Sequence, residues 1–158
     1  MMKYLIWFLL GLAVGLGGYW LVGQYYHPQA TPVTRTILVY FNKSEPTDIV
    51  QVAVERTIVK TVAVATAAIQ ELLKGPTETE KSAGLTTAMN AGTVLNYVRI
   101  DNGVATVDFN SQFDFQMGGS ARVRAIYQQI FKTLTQFSTI KEIKITIDNG
   151  SRPANLEP

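Results

Sequence analysis

The 158-residue sequence contains no cysteine, which excludes disulfides, cysteine-ligated metals, a thiol nucleophile and a lipid-modified N-terminal cysteine. It has a single histidine, His27, so no second imidazole completes a metal site or an acid–base relay. A dominant charge is missing as well. Fourteen Lys and Arg against twelve Asp and Glu leave a net charge of +2, where a nucleic-acid binder concentrates a basic face, so no nucleic-acid partner is expected. Nor is there a dense Asp-x-Asp run of the kind that builds a calcium loop.

Charge is also absent from Tyr4 to Val22, a run of mainly Leu, Ile, Val, Phe, Trp, Ala and Gly. It approaches the ~20 residues that span a hydrocarbon core. Lys3 precedes it and the next basic residue is Arg35, a bias that leaves the N-terminus in the cytoplasm and the rest outside. Tyr19, Trp20, Tyr25 and Tyr26 fall where an interfacial aromatic belt would lie. The expectation is a single-pass anchor over 1–23, a linker over 24–33 carrying Pro28 and Pro32, one domain over 34–150 and a frayed tail over 151–158. A cleaved signal peptide is the rival reading, although no good small-x-small site follows the run. Either way the domain lies across the cytoplasmic membrane. Gly11 and Gly15 form a GxxxG, but glycine is common in membrane spans.

Within the domain, Thr36–Phe41 is rich in branched and aromatic residues and reads as a buried strand. After the polar turn Asn42–Asp48, Val50, Val52, Val54 and Arg56 interleave with Gln51, Ala53 and Glu55, predicting a second strand with its valines inward. From Val62 to Leu73 the apolar residues Val62, Ala65, Ile69, Leu72 and Leu73 recur at helical spacing. Gly75-Pro76 stops that helix, and Thr77 with Glu80 has capping-box spacing for a further helical turn. Asp101-Asn102-Gly103 is a hairpin turn between an extended segment from Val94 and the alternating strand Val104–Phe109. Ser120 is a plausible N-cap for a long helix reaching about Gln136. Its inward stripe is Val123, Ile126, Tyr127, Ile130, Leu134 and Phe137, with Arg122, Gln129 and Lys132 largely on the other side. Lys141–Ile147 alternates as a last strand. The predicted class is α+β: one domain of order β-β-α-β-β-α-β, with two helices on a mostly antiparallel sheet.

No catalytic, metal or cofactor residue is nominated by these patterns. The loop from Asn110 to Gly119 is the candidate contact surface, through Phe113, Asp114 and Phe115. Asp108 and Asp114 flank it and could in principle serve as an acid–base pair or as calcium ligands. Strand-end and turn bonding explains both carboxylates without either role.

Several segments together resemble the GerMN domain, named for a sporulation and spore-germination protein. They are Val39-Tyr40-Phe41, Val54-Glu55-Arg56, Ala68–Thr77 with its Leu-Leu-Lys-Gly-Pro-Thr block, and Glu80 ahead of Gly84-Leu85. Val104–Phe109, Thr133-Leu134-Thr135-Gln136-Phe137 and Ile145–Asp148 complete the set. The resemblance spans about Thr34 to Gly150. It implies a non-enzymatic module outside the bacterial cytoplasmic membrane, with no catalytic residue to carry over. Lipoprotein members of that family carry the cysteine this chain lacks, so here the anchor would be the helix itself. The order from Ala63 to Ile147 also looks similar to ring-building modules of envelope complexes. The function expected is therefore a membrane-anchored module for self-association or for binding envelope proteins. A peptidoglycan or wall-glycan binder using the loop aromatics is the alternative, and a wall-acting enzyme using Asp108 and Asp114 a more distant one.

Overall fold

The computed structural model of the chain describes residues 32–156. The expected anchor, the linker up to residue 31, His27 and the Gly11/Gly15 pair lie outside the described residues. Among the described residues, no helix is long and apolar enough to cross a membrane.

The strand β1 (Thr34–Ser44) turns back at Glu45–Asp48 into β2 (Ile49–Val59). All eleven residues of each strand pair antiparallel, from Thr34↔Val59 to Ser44↔Ile49. Ile37, Val39 and Phe41 of β1 are buried. Opposite them, Val52, Val54 and Ile58 line the same face, while Val50 is exposed at the hairpin end.

Helix α1 (Val64–Leu73) starts two residues later than its periodicity suggests. Val62 is fully exposed, because the chain is still crossing from β2. Ala65, Ala68, Ile69 and Leu72 are its buried stripe, and small alanines allow close approach to the sheet. The predicted stop holds: Gly75 takes φ 75°, a left-handed conformation that costs a glycine little. The capping box at Thr77 opens a five-residue helix α2 (Glu78–Ser82), followed by the two-residue strand β3 (Leu85–Thr86).

The second half contributes β4 (Leu95–Asp101), β5 (Val104–Phe109), helix α3 (Ser120–Thr135), β6 (Glu142–Ile147) and β7 (Arg152–Pro153). Asn102 and Gly103 both take positive φ in the β4–β5 turn, as an Asn-Gly hairpin requires. Gly119, and not Ser120, occupies the N-cap of α3, without a side-chain cap.

The single sheet expected from the element order is two sheets, β2-β1-β3 and β4-β5-β6-β7. Pairing is mostly antiparallel, and β5 with β6 is the parallel exception, joined through α3 as a parallel crossover demands. The division has a physical cause on β1. Beyond its short pairing with β3 at Asn42 and Lys43, the edge of β1 that faces away from β2 is occupied by side chains of α3 and its C-cap Gln136 instead of a strand. Gln136 Oε1 accepts from the Leu38 N–H (2.9 Å) and its Nε2 donates to the Leu38 carbonyl (2.6 Å). Thr133 Oγ1 accepts from the Tyr40 N–H, and Gln129 Nε2 donates to the Tyr40 carbonyl.

Both long helices link the sheets: α1 contacts β1 and β4, and α3 contacts β1, β2 and β6. One hydrophobic cluster joins Val39 and Phe41, Ile69 and Leu72, Val107 and Phe109, Ile126, Ile130 and Leu134, and Ile145 and Ile147. The tail is not frayed where it is described. Arg152 and Pro153 pair with Ile147 and Thr146.

Candidate functional site

The parallel strands β5 and β6 end side by side at Phe109 and Ile147. Beyond β6, Asp148, Asn149 and Gly150 take φ of 51°, 62° and 80° in succession. Only glycine adopts that conformation freely, and Asn and Asp tolerate it. Asp108 holds this turn. Its carboxylate accepts from the Asn149 and Gly150 N–H groups (2.8 and 2.7 Å), the Thr146 hydroxyl (2.6 Å) and the Asn96 amide (2.7 Å). Asp108 is fully buried. Burial pushes its carboxyl up, but these four bonds together outweigh that and hold it below the usual carboxylate range. Its acceptor positions are filled by the protein, leaving none for a substrate proton or a calcium ion.

The candidate loop divides its three residues among different roles. Phe113 is 1% exposed and stacks on Phe109, with centroids 4.5 Å apart and planes 4° from parallel. It is core, so it cannot serve as a contact platform. The Asp114 side chain is 5% exposed and receives two bonds from the Arg152 guanidinium (2.5 and 2.9 Å) and one from the Asn155 N–H. Arg152 holds the Asp114 carboxyl below its ordinary range against the opposing effect of burial. Phe115 alone points outward, 56% exposed.

The backbone beneath it is fixed. Asn90 Nδ2 lies within bonding distance of the carbonyls of Gln112, Phe113 and Phe115 (3.0, 3.0 and 2.7 Å). Arg122 in turn donates to Asn90 Oδ1 and to the Ala88 carbonyl, so its guanidinium is structural and not free on the far side of α3. Phe115 is thus an exposed ring on a braced loop.

Two further polar constellations build structure. Arg56 and Glu80 form a two-point ion pair (2.7 and 2.6 Å) with only 15% and 17% of their side chains exposed. The guanidinium lies 5.5 Å from the centroid of the buried Phe41 ring. Glu80 also closes the α2 capping box on the Thr77 N–H. Its carboxyl is lowered from 4.5 to about 2, mainly by the Arg56 hydrogen bonds. Gln129, expected on the outer side of α3, is 0% exposed. Besides the Tyr40 carbonyl, it serves the Asn42 side chain and the Ala88 N–H. Sequence reading missed Gln129 and Arg152. The spacing of Gln129, Thr133 and Gln136 down one helix flank is the signal that marks the former.

Open hollows lie elsewhere on the described surface. A groove of 510 Å³ runs between the β1–β2 turn and the first half of α3, lined by Glu45, Asp48, Gln51, Arg124 and Gln128 among others. A hollow of 230 Å³ is lined by Val62, Ala65, Val98, Ile100 and Phe137 with their neighbours. Neither Asp108 nor Asp114 lines these or the hollows beside Gly75 and Thr93. Proton-transfer chemistry needs a base converging on a pocket, and the candidate carboxylates do not supply it.

A comparison with curated proteins finds no match. Among solved structures, the tandem GerMN domains of the sporulation protein GerM from Bacillus subtilis match at 28% identity and a TM-score of 0.64, over 75% of this chain. The chain spans 40% of that tandem structure. The first GerMN domain of the same protein matches at 28% identity and a TM-score of 0.56, over 77% of this chain and 85% of that one. A candidate lipoprotein from Clostridium perfringens shares the fold at 20% identity and a TM-score of 0.50, over 76% of this chain and 80% of that one. A family model described as sporulation and spore germination, Germane, matches residues 38–152, which takes in both sheets, the braced loop and Arg152. The chain belongs to the Germane family of sporulation and spore germination domains.

Proposed function

We propose that the chain is a non-enzymatic interaction module held on the outer side of the cytoplasmic membrane by its N-terminal apolar segment, where it assembles with itself or with envelope proteins. The observation that carries this reading is the fate of Asp108 and Asp114. Both are consumed in bracing turns, while apolar side chains stand exposed: Val33, Val59, Val62, Ile100 and Phe115. Among the described residues, exposed apolar surface with both candidate carboxylates outside the hollows suits binding better than catalysis. The likeness to GerM domains supports an envelope role by family, and the uncharged run Tyr4–Val22 supports the anchor.

The test is sedimentation of residues 32–158, which include the whole of the compact unit Val33–Pro158, over a concentration series. Capture from envelope extract accompanies it. Reversible association, or a reproducible envelope partner lost on surface mutation, is expected. A clean monomer that captures nothing would overturn the reading.

A wall-glycan role has one observation in its favour, the exposed Phe115 ring on its braced loop. On that reading, Phe115→Ala abolishes co-sedimentation with purified peptidoglycan and leaves stability unchanged.

A further inference from the structure

The sheet edges of this domain are guarded unequally. On β1, the Gln129 and Thr133 side chains of α3 and its C-cap Gln136 satisfy the edge at Leu38 and Tyr40. The edge strands β3 and β7 are two residues each, β7 carries Pro153, and the edge strand β4 is interrupted by a register shift between Leu95 and Tyr97. The outer edge of β2 has no such protection. It is eleven residues long, Ile49-Val-Gln-Val-Ala-Val-Glu-Arg-Thr-Ile-Val59, with no proline, no lysine and no register shift against β1. Charged side chains, proline and bulges are the usual means of blunting an exposed edge, and of the two charged residues on β2 the inward-facing Arg56 is neutralised by Glu80, which leaves Glu55 alone.

The register identifies which groups face outward. The Leu38 and Tyr40 N–H groups point to α3 and so away from β2. Their partners Glu55 and Ala53 therefore also point away, as in any antiparallel pair that does not exchange bonds. By alternation Gln51 and Thr57 do the same, and none of these four N–H groups meets a partner among the described residues. The bonds at this edge are local: the Ile49 N–H goes to Asp48 Oδ1, Gln51 Nε2 to the Ile49 carbonyl, and Arg56 Nη1 to the Glu55 carbonyl.

The strand is also self-complementary. Reversed about Val54, it sets Ile49 against Val59, Val50 against Ile58, Gln51 against Thr57 and Ala53 against Glu55. Every pair keeps the same face, and the outward-facing odd residues meet odd residues, as hydrogen bonding requires. Arg56 falls opposite Val52, with its guanidinium already committed to Glu80. The two Glu55 residues fall on a diagonal, with backbones about 7–8 Å apart, and their exposed side chains can diverge into water.

We propose that β2 is an isologous interface: two copies of this chain pair β2 with β2, antiparallel about Val54. The three-stranded sheet becomes a continuous six-stranded one, with the two-fold symmetry that closed dimers use. This rests on the reading of the domain as an assembly module and names the surface and the occupant.

The absence of cysteine makes a cross-linking ruler unambiguous. Val54 would form a non-hydrogen-bonded pair across the axis, with Cα atoms about 4.5 Å apart, inside the disulfide range. In the 158-residue chain reconstituted in vesicles, Val54→Cys is expected to give a disulfide-linked dimer on mild oxidation. Thr57→Cys alone, about 20 Å from its own copy by strand rise, should not. Equimolar Gln51→Cys and Thr57→Cys chains should cross-link to each other. Ala53→Pro removes an outward N–H and leaves the ladder to β1 intact, so it should abolish the dimer while circular dichroism and thermal midpoint show a folded domain.

Failure of Val54→Cys to cross-link overturns the interface, and so does association that survives Ala53→Pro. If the 158-residue chains still associate or capture an envelope partner, the assembly reading stands and only this surface is wrong. If nothing associates by any route, both fall.

Discussion

At the scale of single residues, the polar groups that look most reactive are the ones most tightly used. Asp108 accepts four bonds inside the protein, two of them from the N–H groups of a turn in left-handed conformation. Asp108→Asn sets an amide N–H₂ against hydrogen-bond donors and removes the charge that strengthens each bond. The expected cost is roughly 2–4 kcal/mol, read as a lower urea midpoint with an unchanged slope. Glu80 supplies the clearest pH dependence. Its carboxyl is lowered to about 2 from 4.5, so its contribution to stability is present above the unfolded value and is lost as pH falls through the folded one. Glu80→Gln is therefore expected to be less stable than the parent at pH 7, by about 2 kcal/mol. The gap between them should close between pH 4.5 and about 2, measured by denaturant titration at each pH. A constant gap across that window would disconnect the ion pair from stability.

At the scale of elements, the α3 flank that replaces a strand makes the sharpest prediction. Gln129→Leu adds apolar volume to a buried position, which simple hydrophobic accounting would favour. It also strands the Tyr40 carbonyl, the Asn42 side chain and the Ala88 N–H, and each unmet buried group costs about 1–3 kcal/mol. A net loss of about 3 kcal/mol is expected. Gln136→Ala should cost less, about 1–2 kcal/mol, and should speed hydrogen exchange of the Leu38 amide in particular.

These residues also mark the limit of what the sequence makes legible. Helix α1, its Gly75 stop, the Thr77 box and the Asn102-Gly103 hairpin follow from local rules, and the structure carries all of them. Gln129 does not, because a glutamine on an amphipathic helix looks solvated until a strand edge is known to run beside it. The split into two sheets was hidden for the same reason: element order does not say whether a strand's neighbour is another strand or a helix flank. At the candidate site, the stretch Phe113-Asp114-Phe115 is marked by composition, yet only Phe115 is free. Burial of Phe113 depends on Phe109, and the Asp114 pair depends on Arg152 beyond the expected end of the domain.

At the scale of the whole molecule, two sheets that share no strand could behave as two folding units, but the core argues against it. Phe41 from one sheet and Phe109 from the other belong to a single buried cluster with Ile69, Leu72, Ile126, Ile130 and Leu134 from the helices. α3 touches β1 and β2 of one sheet and β6 of the other, so neither sheet keeps its apolar face covered if the helix leaves. Residues 32–158 should therefore unfold in one step. Ile130 is fully buried in α3, and Ile130→Ala is expected to cost about 2–5 kcal/mol. That loss should lower the midpoints of both sheets together. Both tryptophans, Trp7 and Trp20, precede this fragment, so far-ultraviolet circular dichroism and NMR amide signals from β1 and β5 are suitable probes. Coincident transitions in parent and variant would establish one cooperative unit. If β5 amides instead survive the loss of β1, the β2-β1-β3 sheet is a separable element, free to rearrange while the rest stays folded. An interface on β2 would then form by remodelling of that sheet and not by docking of a preformed edge.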